Sequence, residues 1–327
     1  MSTSFRIDVH QHVVPAFYAQ ALASHGGDPS GSLTPEWSPE RAIAFMDSQQ
    51  IATGILSVST PSVVGWAPDE RRQMARRINE YTADLVAKQP DRFGNFATLP
   101  LPDIDGALAE AEHALGTLHA DGVVLMASYT GKYLGDPAFE PLWAELDRRH
   151  AVAFEHPGDT PGQPPIPPAA GVASPMANFP FETTRTAIQL VLNGVVDRYP
   201  RLRIILSHAG GFLPYASLRF AELARVFNPA APSPDAILAS FRRFYFDTAL
   251  SSGAALPTLT AFASPGHILF GTDSPYDHGV AAAFTAALDT SDSLTADDQA
   301  SISHRNAQAL FPRLAPRPAA AADQQRP

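Results

Sequence analysis

Two hydrophobic rhythms alternate along this chain. Short runs of period two, or apolar throughout, occur at Phe5–Val13, Ala52–Ser59, Phe93–Leu101, Gly122–Ser128, Ala151–His156, Leu202–His208, Phe244–Ala249 and His267–Asp273. Each reads as a strand. Between them the apolar positions recur at helical spacing. Ser38-Pro39-Glu40 opens one helix with a capping residue, a proline in the first turn and an acidic side chain. Pro68–Lys88, Ile104–Leu118, Phe139–His150, Glu182–Arg198, Phe212–Val226, Ala254–Phe262 and Val280–Leu288 follow. Strand then helix, repeated eight times, predicts a parallel sheet with right-handed crossovers. Its closed form is an α/β (β/α)8 TIM-like barrel, and an open doubly wound sheet is the other solution.

Two segments interrupt the rhythm. Val14–Trp37 follows the first strand as a long insertion containing Gly26-Gly27, Pro29 and Gly31. A loop of that length over the C-terminal face of a barrel reads as a lid or substrate loop. Gly158–Asn178 is rich in proline and glycine and follows the fifth strand. Its reading is a substrate-facing or merely solvated loop. The last residues, 313–327, are rich in proline, alanine and glutamine and read as a disordered tail. Residues 1–312 then form a single domain.

Composition narrows the function. The formal net charge is −10 and lysine occurs only at Lys88 and Lys132, which argues against nucleic acid as a partner. A small anionic substrate held by a few placed arginines stays compatible. The absence of cysteine excludes disulfides, thiolate nucleophiles and cysteine-type zinc sites. The N-terminus runs into the first strand without a basic-then-apolar signal, and no apolar run is long enough to span a bilayer. The expectation is a cytoplasmic protein with no membrane partner.

Barrel enzymes place their chemistry at the C-terminal ends of strands. Asp8-Val9-His10-Gln11-His12 closes the first strand, and alternation turns His10 and His12 the same way. The fifth strand ends in His156, the sixth in His208 and the eighth in Asp273. Three histidines and a carboxylate suit one borderline divalent cation. Asp8 and Glu155, beside the ligands in sequence, are candidate acceptors for the rings' second nitrogens. His208 reads as an acid/base, a fourth ligand or a hydrogen-bonded core histidine. Asp273 reads as a ligand, a base or both. Asp247, closing the seventh strand, is equally suited to a structural role or to orienting a ligand or substrate hydroxyl. The fourth strand ends without lysine, so no carbamylated lysine bridges a second metal there, and the site reads as mononuclear.

Asp8-Val9-His10-Gln11-His12, the isolated His156, Ser207-His208-Ala209-Gly210-Gly211 and Gly271-Thr272-Asp273-Ser274-Pro275 together resemble the amidohydrolase superfamily. They resemble its decarboxylase branch, typified by aminocarboxymuconate-semialdehyde decarboxylase, and the likeness runs to Asn306–Pro312. The texts Gly26–Gly31 and Glu36–Glu40 look closest to 6-methylsalicylate decarboxylase-like members. The resemblance implies His10, His12, His156 and Asp273 as ligands of one Zn2+ or Mn2+, His208 as the catalytic histidine, and no organic cofactor. It also implies a homodimer in which an arginine enters the neighbour's site and pairs with the substrate carboxylate. The matching position is Arg219, which by itself reads as an ordinary helix-face residue. The branch's second substrate arginine has no match in Ser32–Glu36, which favours a monocarboxylate.

Five aromatic residues in or near the strand-end loops, Phe17, Trp66, Phe179, Phe181 and Tyr276, are candidates for a ring-binding pocket or for core packing. The expected activity is metal-dependent, non-oxidative decarboxylation of a small aromatic ortho-hydroxy acid such as 6-methylsalicylate. The alternative is a metal-dependent hydrolase or hydratase acting on a lactone or related small carboxylate.

Overall fold

In the computed structural model, which describes residues 5–158 and 171–315, the eight strand expectations become one parallel sheet. β1 (Arg6–His12), β2 (Ile51–Ser57), β3 (Phe93–Thr98), β4 (Gly122–Met126), β7 (Val152–His156), β8 (Arg203–Leu206), β9 (Tyr245–Asp247) and β10 (Ile268–Leu269) pair in that order. Hydrogen bonds from Val9 N to Phe270 O (3.0 Å) and from Asp273 N to His10 O (2.8 Å) close the ring between the last strand and the first. The fold is the (β/α)8 barrel. A small antiparallel hairpin, β5 (Ser128–Tyr129) with β6 (Lys132–Tyr133), follows β4 and has no counterpart in the sequence reading.

Helices cover the sheet: α1 (Ala16–Ser24), α2 (Pro39–Ser48), α3 (Pro68–Lys88), α4 (Ile104–Glu112), α5 (Glu140–Arg148), α6 (Ser174–Leu192), α7 (Val195–Arg198), α8 (Leu213–Phe227), α9 (Pro234–Phe241), α10 (Ala255–Phe262), α11 (Ala281–Asp289), α12 (Ala296–Ala300) and α13 (Asn306–Leu310). Ser38 caps α2 by accepting from Arg41 N at 3.3 Å, a contact of about 1 kcal/mol. α3 keeps the bounds its periodicity predicts.

Four expectations change. The insertion after β1 is not a bare loop, because Ala16–Ser24 forms α1 and buries Tyr18 and Leu22 against the barrel. The helix expected from Glu182 starts at Ser174, so the end of the second irregular segment is helical; residues 159–170 of that segment lie outside the described residues. The same helix stops at Leu192, and Gly194, at φ 73°, restarts the chain as α7. Arg313, placed by sequence in the tail, pairs with the buried carboxylate of Asp121 at 2.5 Å and anchors the end of the barrel; residues 316–327 lie outside the described residues. Among the described residues no helix is long and apolar enough to cross a membrane.

The barrel interior is filled with side chains, as closed eight-stranded sheets require. Phe96 and Phe154 lie in tilted contact at 5.4 Å, and Phe154 meets the His10 ring edge-on at 4.9 Å. An apolar floor thus sits directly beneath the strand ends that carry the titratable groups.

Candidate metal centre

His10 and His12 project inward from β1, His156 ends β7, and His208 and Asp273 follow β8 and β10. All five are buried. His10 Nε2 and His12 Nε2 are 3.1 Å apart, and Asp273 Oδ1 lies 3.2 Å from the first and 3.0 Å from the second. With His156, one ligand atom from each of the four residues falls within 4.8 Å of the others.

The other ring nitrogens explain why these atoms converge. His10 Nδ1 donates to Asp247 Oδ2 at 2.7 Å, His12 Nδ1 to Ser57 O at 3.2 Å, and His156 Nδ1 to Pro157 O at 2.8 Å. A carboxylate and two carbonyls can only accept. Each ring therefore carries its hydrogen on Nδ1 and turns an Nε2 lone pair toward the shared centre. His156 Nε2 is buried and has no hydrogen-bond partner among the described residues. Converging lone pairs in a dry pocket repel one another unless a cation lies between them. The donor set of three imidazoles and one carboxylate fits one divalent ion.

Electrostatics point the same way. Burial lowers the basicity of His12 and pushes that of His156 well down, favouring the neutral rings that a metal needs. For His10, burial is outweighed by Asp247 and Asp273, which raise it to about 10. Its environment thus calls for positive charge, which a bound cation supplies in place of the second proton. Burial raises the Asp273 carboxyl, but the charge and hydrogen bonds of His10 and His12 more than reverse this and hold it well below the usual range.

Asp8 and Glu155 do not touch the ligand rings. Asp8 accepts from His10 N (3.0 Å), Thr272 N (3.1 Å) and Thr272 Oγ1 (2.6 Å), bracing β1 against the segment before Asp273. Strand alternation turns Glu155 away from His156, and it accepts from Thr183 Oγ1 of α6 at 3.2 Å. The side chain that does orient one of these rings, His10, is Asp247. Its Oδ1 also accepts from His208 N and Ala249 N, each at 2.9 Å.

His208 (φ 51°) and Asp273 (φ 67°) both adopt left-handed backbone angles, which cost free energy in non-glycine residues and persist where surrounding contacts impose them. Here Asp247 clamps the first and the His10 carbonyl the second. Gly271 lets strand ends approach: a Cβ there would lie 2.9 Å from His10 Cβ. His208 Nδ1 donates to Ala249 O at 3.2 Å, leaving Nε2 as its free base. Burial lowers its basicity.

A cavity of about 150 Å3 opens above the centre, with room for one substituted benzene ring. His156, His208 and Asp273 form its floor, and Phe179, Tyr276, Pro180 and Leu250 its apolar walls. Of the five aromatic candidates, only Phe179 and Tyr276 line it. Phe17 packs on Tyr81 at 5.7 Å, with the Arg77 guanidinium 4.0 Å over its ring. Trp66 stacks on His25 at 4.1 Å. Phe181 turns outward, its ring 4.6 Å from Phe212. Phe17 and Trp66 are packing residues around α1, and Phe181 is exposed on the outward face of α6. Arg219 lies on the exposed face of α8 and does not line the cavity. Sequence reasoning did not find Asp28, Ser32, Ser59, Thr60, Ser251 or His278 among the lining residues. They are small or polar loop residues without a spacing signal.

A conserved-family description, amidohydrolase, matches residues 7–313. The chain belongs to the amidohydrolase family. This amidohydrolase is 44% identical over 286 residues to the decarboxylase yanB of Aspergillus niger, covering 83% of this chain and 77% of the relative. It is 40% identical to a 6-methylsalicylic acid decarboxylase of Penicillium expansum, over 94% of this chain and 97% of that protein. Among solved structures it superposes on a dihydroxybenzoic acid decarboxylase of Polaromonas, determined with manganese and 2-nitroresorcinol. The TM-score is 0.78 at 26% identity, covering 95% of this chain and 97% of the other.

Proposed function

We propose that this amidohydrolase is a metal-dependent, non-oxidative decarboxylase of a small aromatic ortho-hydroxy acid, 6-methylsalicylate or a near relative. The single observation that carries the proposal is the convergence of three Nε2 atoms and one carboxylate at the floor of a ring-sized cavity, with His208 beside them. Relatives named for aromatic acid decarboxylation support the substrate class. His10, His12, His156 and Asp273 would hold the cation, and their borderline donor set favours zinc, with manganese second. The cation supplies Lewis-acid charge for the substrate's carboxylate and ortho oxygen.

The chain's own residues do the remaining work. His208, neutral and held through Nδ1, accepts the ortho-hydroxyl proton at Nε2 and returns a proton to the ring carbon that bears the carboxylate. The carbon–carbon bond then breaks, its electron pair restores the aromatic ring, and CO2 leaves. Asp273 is the other acid/base candidate at the floor. Held ionised beside His10 and His12, it is suited to charge balance, so proton delivery falls to His208. Phe179 and Tyr276 confine the ring.

Among the described residues no lysine or arginine lines the cavity, yet the substrate is an anion. Arg219 shares an exposed helix face with Phe212, Tyr215 and Leu218, which are 37%, 84% and 60% exposed. A second copy of the chain seated on that face would bury it and bring Arg219 to the neighbour's cavity, making the active form a homodimer.

The test is CO2 release from metal-loaded protein supplied with a panel of ortho-hydroxybenzoates. Loss of CO2 abolished by a chelator is the expected result. Water uptake by a lactone without CO2 from any acid would replace this reading with hydrolysis.

A further inference from the structure

The segment between α1 and α2 carries one ionisable group into the cavity, Asp28. It is half-buried, and its Oδ1 accepts from Ser30 N at 2.8 Å while its carbonyl accepts from Gly31 N at 3.0 Å. The carboxylate is therefore held in place. Its charge is felt by Tyr276 on the cavity wall and by buried Tyr18 beneath the segment, adding to burial in raising both phenols. Tyr276 in turn meets the His12 ring at 5.5 Å, and Asp28 lines the same cavity as Tyr276, His156, His208 and Asp273.

The charge balance of the cavity follows. A divalent ion with three neutral imidazoles and the Asp273 carboxylate leaves one net positive charge, which the buried Asp247 carboxylate on His10 already offsets. One substrate carboxylate is drawn by the cation itself, with no surplus positive charge left for another. A second carboxylate on the same ring would meet no lysine or arginine among the described lining residues, and would face Asp28 in a partly dehydrated space, where like charges repel more strongly than in water.

We propose that Asp28 is a specificity-determining residue that excludes aromatic dicarboxylates and restricts the site to monocarboxylates. The proposal rests on the cavity being the substrate site assigned above. Asp28 is outside the cluster of metal-ligating atoms and carries no proton in the chemistry assigned above, so its effect is on which acid binds rather than on the chemical step.

The experiment compares metal-loaded wild type and Asp28→Asn with 2,6-dihydroxybenzoate and 4-hydroxyisophthalate. Binding is read by calorimetry and turnover by CO2 release. Asparagine keeps an oxygen for Ser30 N, and Asp28→Ser is the second variant should the first misfold. The expected result is an increase of about tenfold or more in the dicarboxylate-to-monocarboxylate affinity ratio in the variant. Wild-type discrimination should also weaken as salt is raised. An unchanged ratio in both variants overturns the role of Asp28. Discriminating binding without CO2 from either acid overturns the decarboxylase reading alone, because the affinity ratio still decides Asp28. Binding of neither acid overturns both.

Discussion

His10 Nδ1 and Asp247 Oδ2 are 2.7 Å apart at the buried centre of the barrel mouth. Asp247 also receives the backbone N–H of His208 through its other oxygen. One carboxylate thus sets the tautomer of a ligand ring and the position of the residue assigned to proton transfer. Asp247→Asn removes the charge, and its amide nitrogen can face His10 Nδ1 as a competing donor. Metal affinity should fall roughly 10- to 100-fold, with a loss of kcat that excess metal only partly restores. Metal titration followed by assay checks this, and unchanged affinity would refute the orienting role.

Removing His208 should separate proton transfer from metal binding. His208→Ala should retain its metal while kcat drops by about 10^2- to 10^4-fold. Metal analysis of the purified variant alongside CO2 release reads both. By contrast, His10→Ala, His12→Ala and Asp273→Ala should lose metal and activity together.

Acid should release the cation. Burial already favours the neutral forms of His12 and His156, so the metal-free fold resists protonation until pH drops below the ordinary histidine value. In the unfolded chain these rings protonate first. The stability they confer is therefore present above about pH 6.5 and is lost as pH falls toward their lowered folded values. His12 and His156 should pull the melting temperature of metal-free protein down with acid over that window, against the opposite slope of the buried carboxyls Asp8 and Glu155. Addition of zinc or manganese should raise the melting temperature at neutral pH and do less as protons compete for the ligands. A metal-independent melting temperature at pH 7.5 would contradict the ligand set.

Glu155 gives the opposite slope. Burial raises its carboxyl to about 8, and its Oε2 has no partner among the described residues. Between its usual range and pH 8 the folded state holds a proton that the unfolded chain gives up. The stability this group contributes is therefore full in acid and lost as pH rises through that window. Glu155→Gln should remove that slope, gaining roughly 5 kcal/mol relative to wild type between pH 4.5 and 8. Urea unfolding at several pH values measures it, and parallel pH profiles for the two proteins would disprove the assignment.

Arg219 can be tested by complementation. Arg219→Ala and His208→Ala should each be nearly inactive as homodimers. If Arg219 serves the neighbouring copy, co-refolded mixtures should regain activity through hybrid dimers with one intact site. Leu218→Glu on the same face should shift the protein toward a monomer by light scattering and raise KM. Mixtures that stay inactive would confine Arg219 to its own subunit's surface.

Much of the barrel and its candidate metal centre was legible from local pattern. Strand periodicity placed His10, His12, His156, His208 and Asp273 at strand ends, because the closed parallel sheet puts all such ends on one face and their spacing is local. The cavity wall was not legible. Phe17, Trp66 and Phe181 carry the same chemistry as Phe179 and Tyr276, and only the packing of α1 and the early start of α6 decide which rings face inward. Asp8 and Glu155 stand beside ligands in sequence, yet Asp247, 237 residues from His10, holds the ring. Sequence proximity ranks contacts along one strand, whereas a ring nitrogen meets whatever the neighbouring strands deliver. The residue types and order of the strand-end motifs therefore determined the fold class and the cluster of candidate ligands. Tertiary structure alone decided the orienting acceptor, the polar lining that includes Asp28, and the outward position of Arg219, because each depends on long-range closure of the barrel and the packing of its cover.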